Sequence, residues 1–145
     1  MADTTMGDRF GSAKHPDRPA AHPRPDSVTD ATVEAVGKLS EALEVVENAR
    51  GHLYEFHRMS GQADLALQEA TRQLREAGHV ALAEEIDEVL VGRDVIPGSW
   101  TFQIVEAYDA QYWSVFRAVD EHARERLVAG TPHLFEAEMK VTEQR

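Results

Sequence analysis

The chain of 145 residues contains no cysteine. Structural disulfides, thiolate metal sites and cysteine nucleophiles are therefore excluded from any hypothesis about its fold or chemistry. Long apolar runs are absent as well, so no segment has the composition of a membrane span, and the first residues do not form a secretion signal. We therefore expect a cytoplasmic protein.

Basic residues are scarce, with 15 lysines and arginines against 26 aspartates and glutamates and a formal net charge of −11. The whole excess of acid falls after residue 27, because residues 1–27 contain four acids and four bases. Such a surface repels the phosphates of nucleic acids and the headgroups of anionic membranes. We therefore expect neither of these partners.

Sequence motifs with a defined chemistry are also missing. The chain has no Gly-x-Gly-x-x-Gly, no phosphate-binding loop and no Gly-x-Ser-x-Gly. Di-iron helical bundles use a Glu-x-x-His motif on each of two helices, and the chain does not carry two such motifs. We therefore predict no cofactor and no metal, and we assign no catalytic residue from a motif.

Proline is concentrated at the start of the chain, where residues 1–27 hold four of the six prolines and few large apolar residues. Such a segment cannot bury enough apolar surface to offset the entropy lost on ordering. We predict a disordered Pro-rich tail over 1–27 and a helical-bundle domain over 28–145.

From residue 28 onward, apolar residues recur at helical spacing, and no stretch alternates as a strand does. The pattern predicts an all-α fold with helices over 30–59, 62–77, 79–91 and 100–128 and a short C-terminal helix over 133–140. The breaks fall at Ser60-Gly61, Gly78, Pro97-Gly98 and Gly130-Thr131-Pro132.

The lengths of these segments predict an antiparallel four-helix bundle of two long and two shorter helices, followed by the short C-terminal helix. The alternative is a three-helix bundle in which the two shorter helices form one rod, kinked at Gly78. The two long helices would then run parallel to each other.

Three charged or polar residues fall on apolar helix faces. On a helical wheel, Arg50 and His57 lie at the centre of the stripe that Val46 and Leu53 define, and Asp109 lies inside the arc of the fourth helix. In an antiparallel arrangement, Arg50 and Asp109 lie at the same level. A charge that faces a core needs a partner, so we predict an ion pair between them that fixes the helix register.

The same residues permit two further interpretations. In a ligand-binding protein or enzyme, Arg50 would hold an anionic group, His57 and Asp109 would be the acid–base pair, and Tyr112 would orient them. In a metal-binding bundle, His57, Glu106 and Asp109 would hold the ion.

Aromatic residues cluster at the start of the fourth helix, where residues 100–116 contain six of the ten in the chain. Trp100, Phe102 and Trp113 fall at or beyond the edge of the apolar arc, and exposed aromatic residues are typical of protein interfaces. Our first hypothesis is therefore a non-enzymatic interaction protein that forms a homodimer or docks a protein partner. The small-ligand and metal interpretations remain the alternatives.

Overall fold

The computed structural model describes residues 24–143, so most of the predicted tail, residues 1–23, lies outside the described residues, as do 144–145. Residues 24–143 contain helices, turns and one isolated bridge, and no strand. The all-α class is therefore confirmed. Contacts divide the described chain into two compact units, one of 24–41 with 120–143 and the other of 42–119.

Residues 24–143 contain five α-helices and one π-helical turn. Helix α1 is Asp30–Glu76, α2 is Val80–Val89, α3 is Thr101–Tyr108, the π turn is Asp109–Trp113, α4 is Ser114–Val128 and α5 is Leu134–Glu143. Because α3, the π turn and α4 follow each other without a break, residues 101–128 form one composite helix.

The predicted break at Ser60-Gly61 is wrong, since α1 is a single helix of 47 residues. A glycine inside a helix costs only about 1 kcal/mol, and a Cβ at Gly61 would meet open space. Gly78 does end α1, because its φ of +90° allows the amide of His79 to bond the carbonyl of Leu74. The chain therefore turns at Gly78 and does not continue as a kinked rod.

The first unit is built around a small apolar core to which α1, α4 and α5 contribute. Its buried side chains are Val33, Val36, Val128 and Leu134. At its edge, Arg24 forms two hydrogen bonds of 2.7 Å with the carboxylate of Glu138 and an ion pair with Asp30. Arg24, which we had predicted to be part of the tail, is therefore tied to α5.

In the second unit, α1 and the composite helix run antiparallel. Arg50 lies opposite Asp109, and the later residue His57 lies opposite the earlier residue Thr101. Thr71 on α1 and Ala83 on α2 are buried. Within the described ranges, no helix has the length and apolar composition needed to cross a membrane.

Ala129 takes a left-handed backbone conformation with φ of 52° immediately after α4, which an alanine adopts only at a cost. We expect Ala129→Gly to raise the free energy of unfolding by about 1 kcal/mol. Ala118→Gly, at an exposed position within α4, should lower it by about the same amount. Urea denaturation of the two variants tests this, and equal destabilisation by both would contradict it.

Candidate functional site

The predicted ion pair between Arg50 and Asp109 is present. Arg50 Nε donates to Asp109 Oδ1 at 2.7 Å, and Arg50 Nη2 donates to Oδ2 at 3.1 Å. Tyr54, one turn further along α1, donates its hydroxyl to Asp109 Oδ2 at 2.8 Å. Both carboxylate oxygens are thus occupied by groups of α1, which holds this helix in register with the π turn.

Aromatic rings surround the guanidinium of Arg50. Its central carbon lies 3.9 Å from the ring centroid of Trp113 and 4.8 Å from that of Tyr54. A planar guanidinium stacks well on such rings. The indole Nε1 of Trp113 is buried and has no hydrogen-bond partner in the described chain. Arg50, Tyr54, Asp109 and Trp113 therefore form one packed group, which we call the Arg50 cluster.

The charges in the Arg50 cluster stabilise each other. The hydrogen bonds from Arg50 hold the pKa of Asp109 below its usual value, and Asp109 in turn raises the pKa of Arg50. The hydrogen bond to Asp109 raises the pKa of Tyr54, and burial acts in the same direction. A general acid or base works best with a pKa near the working pH, so these shifts are opposite to what proton transfer needs.

The π turn explains why the composite helix exposes part of its predicted apolar arc. A π turn inserts about one extra residue, which rotates every later side chain by about 100°. Val105, before the turn, is buried, whereas Val115 and Val119, after it, are 55% and 52% exposed. A wheel drawn for a regular helix therefore misplaces Val115 and Val119.

His57 belongs to a different place from the Arg50 cluster. Its Nδ1 lies 2.7 Å from the hydroxyl oxygen of Thr101, at the start of α3. Thr101 precedes Asp109 by eight residues, or about 12 Å along a helix. The structure therefore does not bring His57 and Asp109 together as an acid–base pair.

Two other predicted site residues also lie apart from the Arg50 cluster. Tyr112 is half exposed and packs its ring against those of Tyr108 and Phe116. Glu106 is exposed. In the part of the chain that the structure describes, His57, Glu106 and Asp109 do not place their ligand atoms within metal-binding range of one another.

The three aromatic residues predicted for an interface divide into two groups. Trp100 and Phe102 are exposed and lie edge to face, with ring centroids 6.1 Å apart. They line an open cleft of about 380 Å³ together with His57, Leu65 and Val95. Trp113, by contrast, is half-buried beneath Arg50, so it is not the exposed interface residue that the sequence predicts.

Asp120 is a fully buried carboxylate that the sequence analysis missed. Its Oδ1 accepts a hydrogen bond of 2.9 Å from the hydroxyl of Ser40. Arg124 Nη2 lies 3.0 Å from Oδ2, but its N–H is not directed at this atom. In the sequence, the i, i+4 spacing of Asp120 and Arg124 indicates an ion pair. It does not indicate burial, because the π turn is what rotates both residues inward.

A second missed feature is an exposed apolar stripe along α1. Eight residues follow one another at alternating steps of four and three, which is the heptad spacing of a coiled coil. All eight are exposed. They are Val45, Ala49, His52, Phe56, Met59, Ala63, Ala66 and Ala70. We call this stripe the α1 seam; its spacing could have been read from the sequence, but its exposure could not.

A double-mutant comparison tests whether the Arg50 cluster supports the fold. Arg50→Met leaves Asp109 without its cation, so the thermal midpoint should fall. Adding Asp109→Leu removes the unpaired carboxylate, so the double variant should regain much of the loss. Circular dichroism melting measures both changes. Losses that simply add in the double variant would mean that the two side chains do not stabilise each other.

Comparisons of the chain with protein-family models, with curated proteins and with solved structures find no match. The function is therefore argued from the geometry of these residues.

Proposed function

We propose that this protein is a non-enzymatic helical interaction protein that self-associates through the α1 seam, most simply as a homodimer. The observation that carries the proposal is the exposure of all eight seam residues, Phe56 and Met59 among them. Heptad-spaced apolar residues on a long helix are buried when a second helix packs against them. Nothing else on the described chain covers them.

The small core supports the same proposal. Few apolar side chains in the described chain are buried, and no fully buried one is larger than a valine. Large apolar residues that stay exposed are far more numerous, with Val45 at 64% and Met59 at 59% on the seam itself. A contiguous apolar surface of this kind is typical of an interface, since single chains rarely leave one in water.

The position of the seam allows two copies to form a four-helix bundle, which differs from the bundle of two long and two shorter helices predicted within one chain. At about 100° per residue, the seam and the face that carries Val46, Arg50 and His57 are centred roughly a third of a turn apart on α1. A helix in a bundle of four contacts two neighbours through two separate faces. In this proposal, α1 and the composite helix of each of two copies supply the four helices.

The Arg50 cluster has a structural role in this proposal. Arg50 and Asp109 bind each other, and the carboxylate has no free oxygen to offer a substrate. An ion pair of this kind aligns two helices, and the apolar contacts beside it then form in one register only. The cluster therefore presents the seam on a helix of fixed orientation.

Replacing a large seam residue by a charged one tests the proposal. Phe56→Glu should weaken self-association at least ~30-fold, about 2 kcal/mol, because the interface would have to bury a carboxylate. Analytical ultracentrifugation over a range of concentrations measures the change. The matched control is Leu65→Glu, which alters a residue of α1 that is 67% exposed but lies outside the seam, and it should leave the association unchanged.

Two results would contradict the proposal. One is a monomer of the unmodified chain at every concentration up to the millimolar range. The other is an equal effect of Phe56→Glu and Leu65→Glu, since the seam would then have no special part in the association.

The cleft beside His57 supports a second candidate function, the binding of a small aromatic ligand. Most of its exposed lining is apolar and comes from α1, the connection and α3, and the hydrogen-bonded His57 and Thr101 and the charged Asp64 and Arg93 line it as well. Apolar walls with a few convergent polar groups are typical of ligand sites. Trp100 offers an exposed ring on which a planar ligand would stack.

A fluorescent anionic dye with an aromatic ring system, anilinonaphthalene sulfonate, is a suitable probe of this cleft. Trp100→Ala should remove one saturable dye site from each chain. Tyr112→Ala, at an aromatic residue of similar exposure outside the cleft, should leave the number of sites unchanged. Identical titrations of the two variants would rule out the cleft as a ligand site.

A further inference from the structure

We propose that the two copies of α1 pack antiparallel, about a two-fold axis that passes level with the peptide between His57 and Arg58. This inference rests on the proposed self-association and adds the direction and register of the helices. It follows from two properties of the exposed surface, namely the order of large and small residues along the seam and the polarity of the residues on either side of it.

The order of residue sizes along the seam is uneven. The larger side chains, Val45, His52, Phe56 and Met59, occupy four of its first five positions, and the last three positions are all alanine. Two parallel helices would pair each seam residue with its own copy, so large would meet large in the first half and small would meet small in the second. The helices would then have to splay apart, which leaves poorly packed space.

An antiparallel pair distributes the same residues more evenly. His52 of one copy then faces Ala63 of the other, and Phe56 faces Met59 at the centre of the interface. The outer levels pair Val45 with Ala70 and Ala49 with Ala66. Each level away from the centre contains at least one alanine, and the two ends of the interface are equivalent by symmetry. The helices therefore need not splay towards one end along the roughly 38 Å of paired helix.

The residues beside the seam favour the same direction. On the side that faces away from the composite helix lie Asn48, Glu55, Gln62 and Glu69, all exposed. In an antiparallel pair this side meets its own copy, so Asn48 lies opposite Glu69 and Glu55 lies opposite Gln62. Each carboxylate then faces an amide that can donate a hydrogen bond, and no two carboxylates are directly opposed.

A parallel pair would bring this polar side against the other side of the seam. There the residues are Val46, Leu53, Ser60 and Leu67, which are buried or half-buried within the second unit of each copy. Glu69 would be placed towards Leu74 and would lose water without gaining a donor. The exposed charges therefore disfavour the parallel arrangement.

The absence of cysteine makes disulfide mapping of the interface clean. We would prepare His52→Cys, Ala63→Cys and Glu47→Cys, which all lie at exposed positions of α1. Sedimentation of each reduced variant first reports whether it still self-associates. The variants are then oxidised with glutathione disulfide, alone and in equimolar pairs, and cross-linked dimers are counted on a non-reducing gel.

The antiparallel register predicts that His52→Cys and Ala63→Cys form a cross-linked dimer when mixed and little or none when separate. The matched mixture of Glu47→Cys with Ala63→Cys should remain uncross-linked, because residue 47 lies on the other side of α1. Cross-linking of His52→Cys with itself would overturn the proposal in favour of parallel helices. If the reduced variants are dimers but cross-link in no combination, the antiparallel register is also overturned. If every reduced variant and the unmodified chain are monomers, the result instead refutes the proposed self-association.

Discussion

A single helix of 47 residues, α1, presents more surface than the rest of the described chain covers. The face that contacts the composite helix carries Val46, Arg50 and His57, and it is buried or half-buried. The face about a third of a turn away carries the seam and remains exposed. Helix α1 thus has two faces with apolar residues, and the rest of the described chain covers only one of them. A second copy of the chain is the simplest partner for the other face, and this constraint underlies the proposed function.

The Arg50–Asp109 pair supplies the orientation that apolar contacts alone would leave open. Its hydrogen bonds join α1 to the π turn, and stacking on Trp113 restricts the guanidinium further. Aliphatic residues pack acceptably in several registers, whereas a bidentate ion pair is satisfied in one. The same saturation of donors and acceptors that makes the pair effective in this role makes it poorly suited to acid–base chemistry.

The π turn has consequences on both sides of the composite helix. It turns Val115 and Val119 outward, and it turns Asp120 towards Ser40 in the first unit. A fully buried carboxylate is tolerated there because a hydroxyl donates to one oxygen and Arg124 lies near the other. One extra residue in one helical turn thus decides which side chains form the core and which reach solvent.

The sequence by itself determined the all-α class, because helical periodicity is a property of residues and their spacing. A left-handed glycine and the cost of an unpaired charge favoured the turn at Gly78 and the pairing of Arg50 with Asp109, but both belonged to one of two predicted arrangements. Only the tertiary structure decided that α1 continues through Ser60-Gly61, that His57 is separate from Asp109 and that the seam is exposed. Each of these depends on a comparison between distant segments. A helix continues through a glycine when packing on either side outweighs a cost of about 1 kcal/mol. A π turn changes which residues of a helix face inward. An apolar stripe is buried or exposed according to which segment lies opposite it.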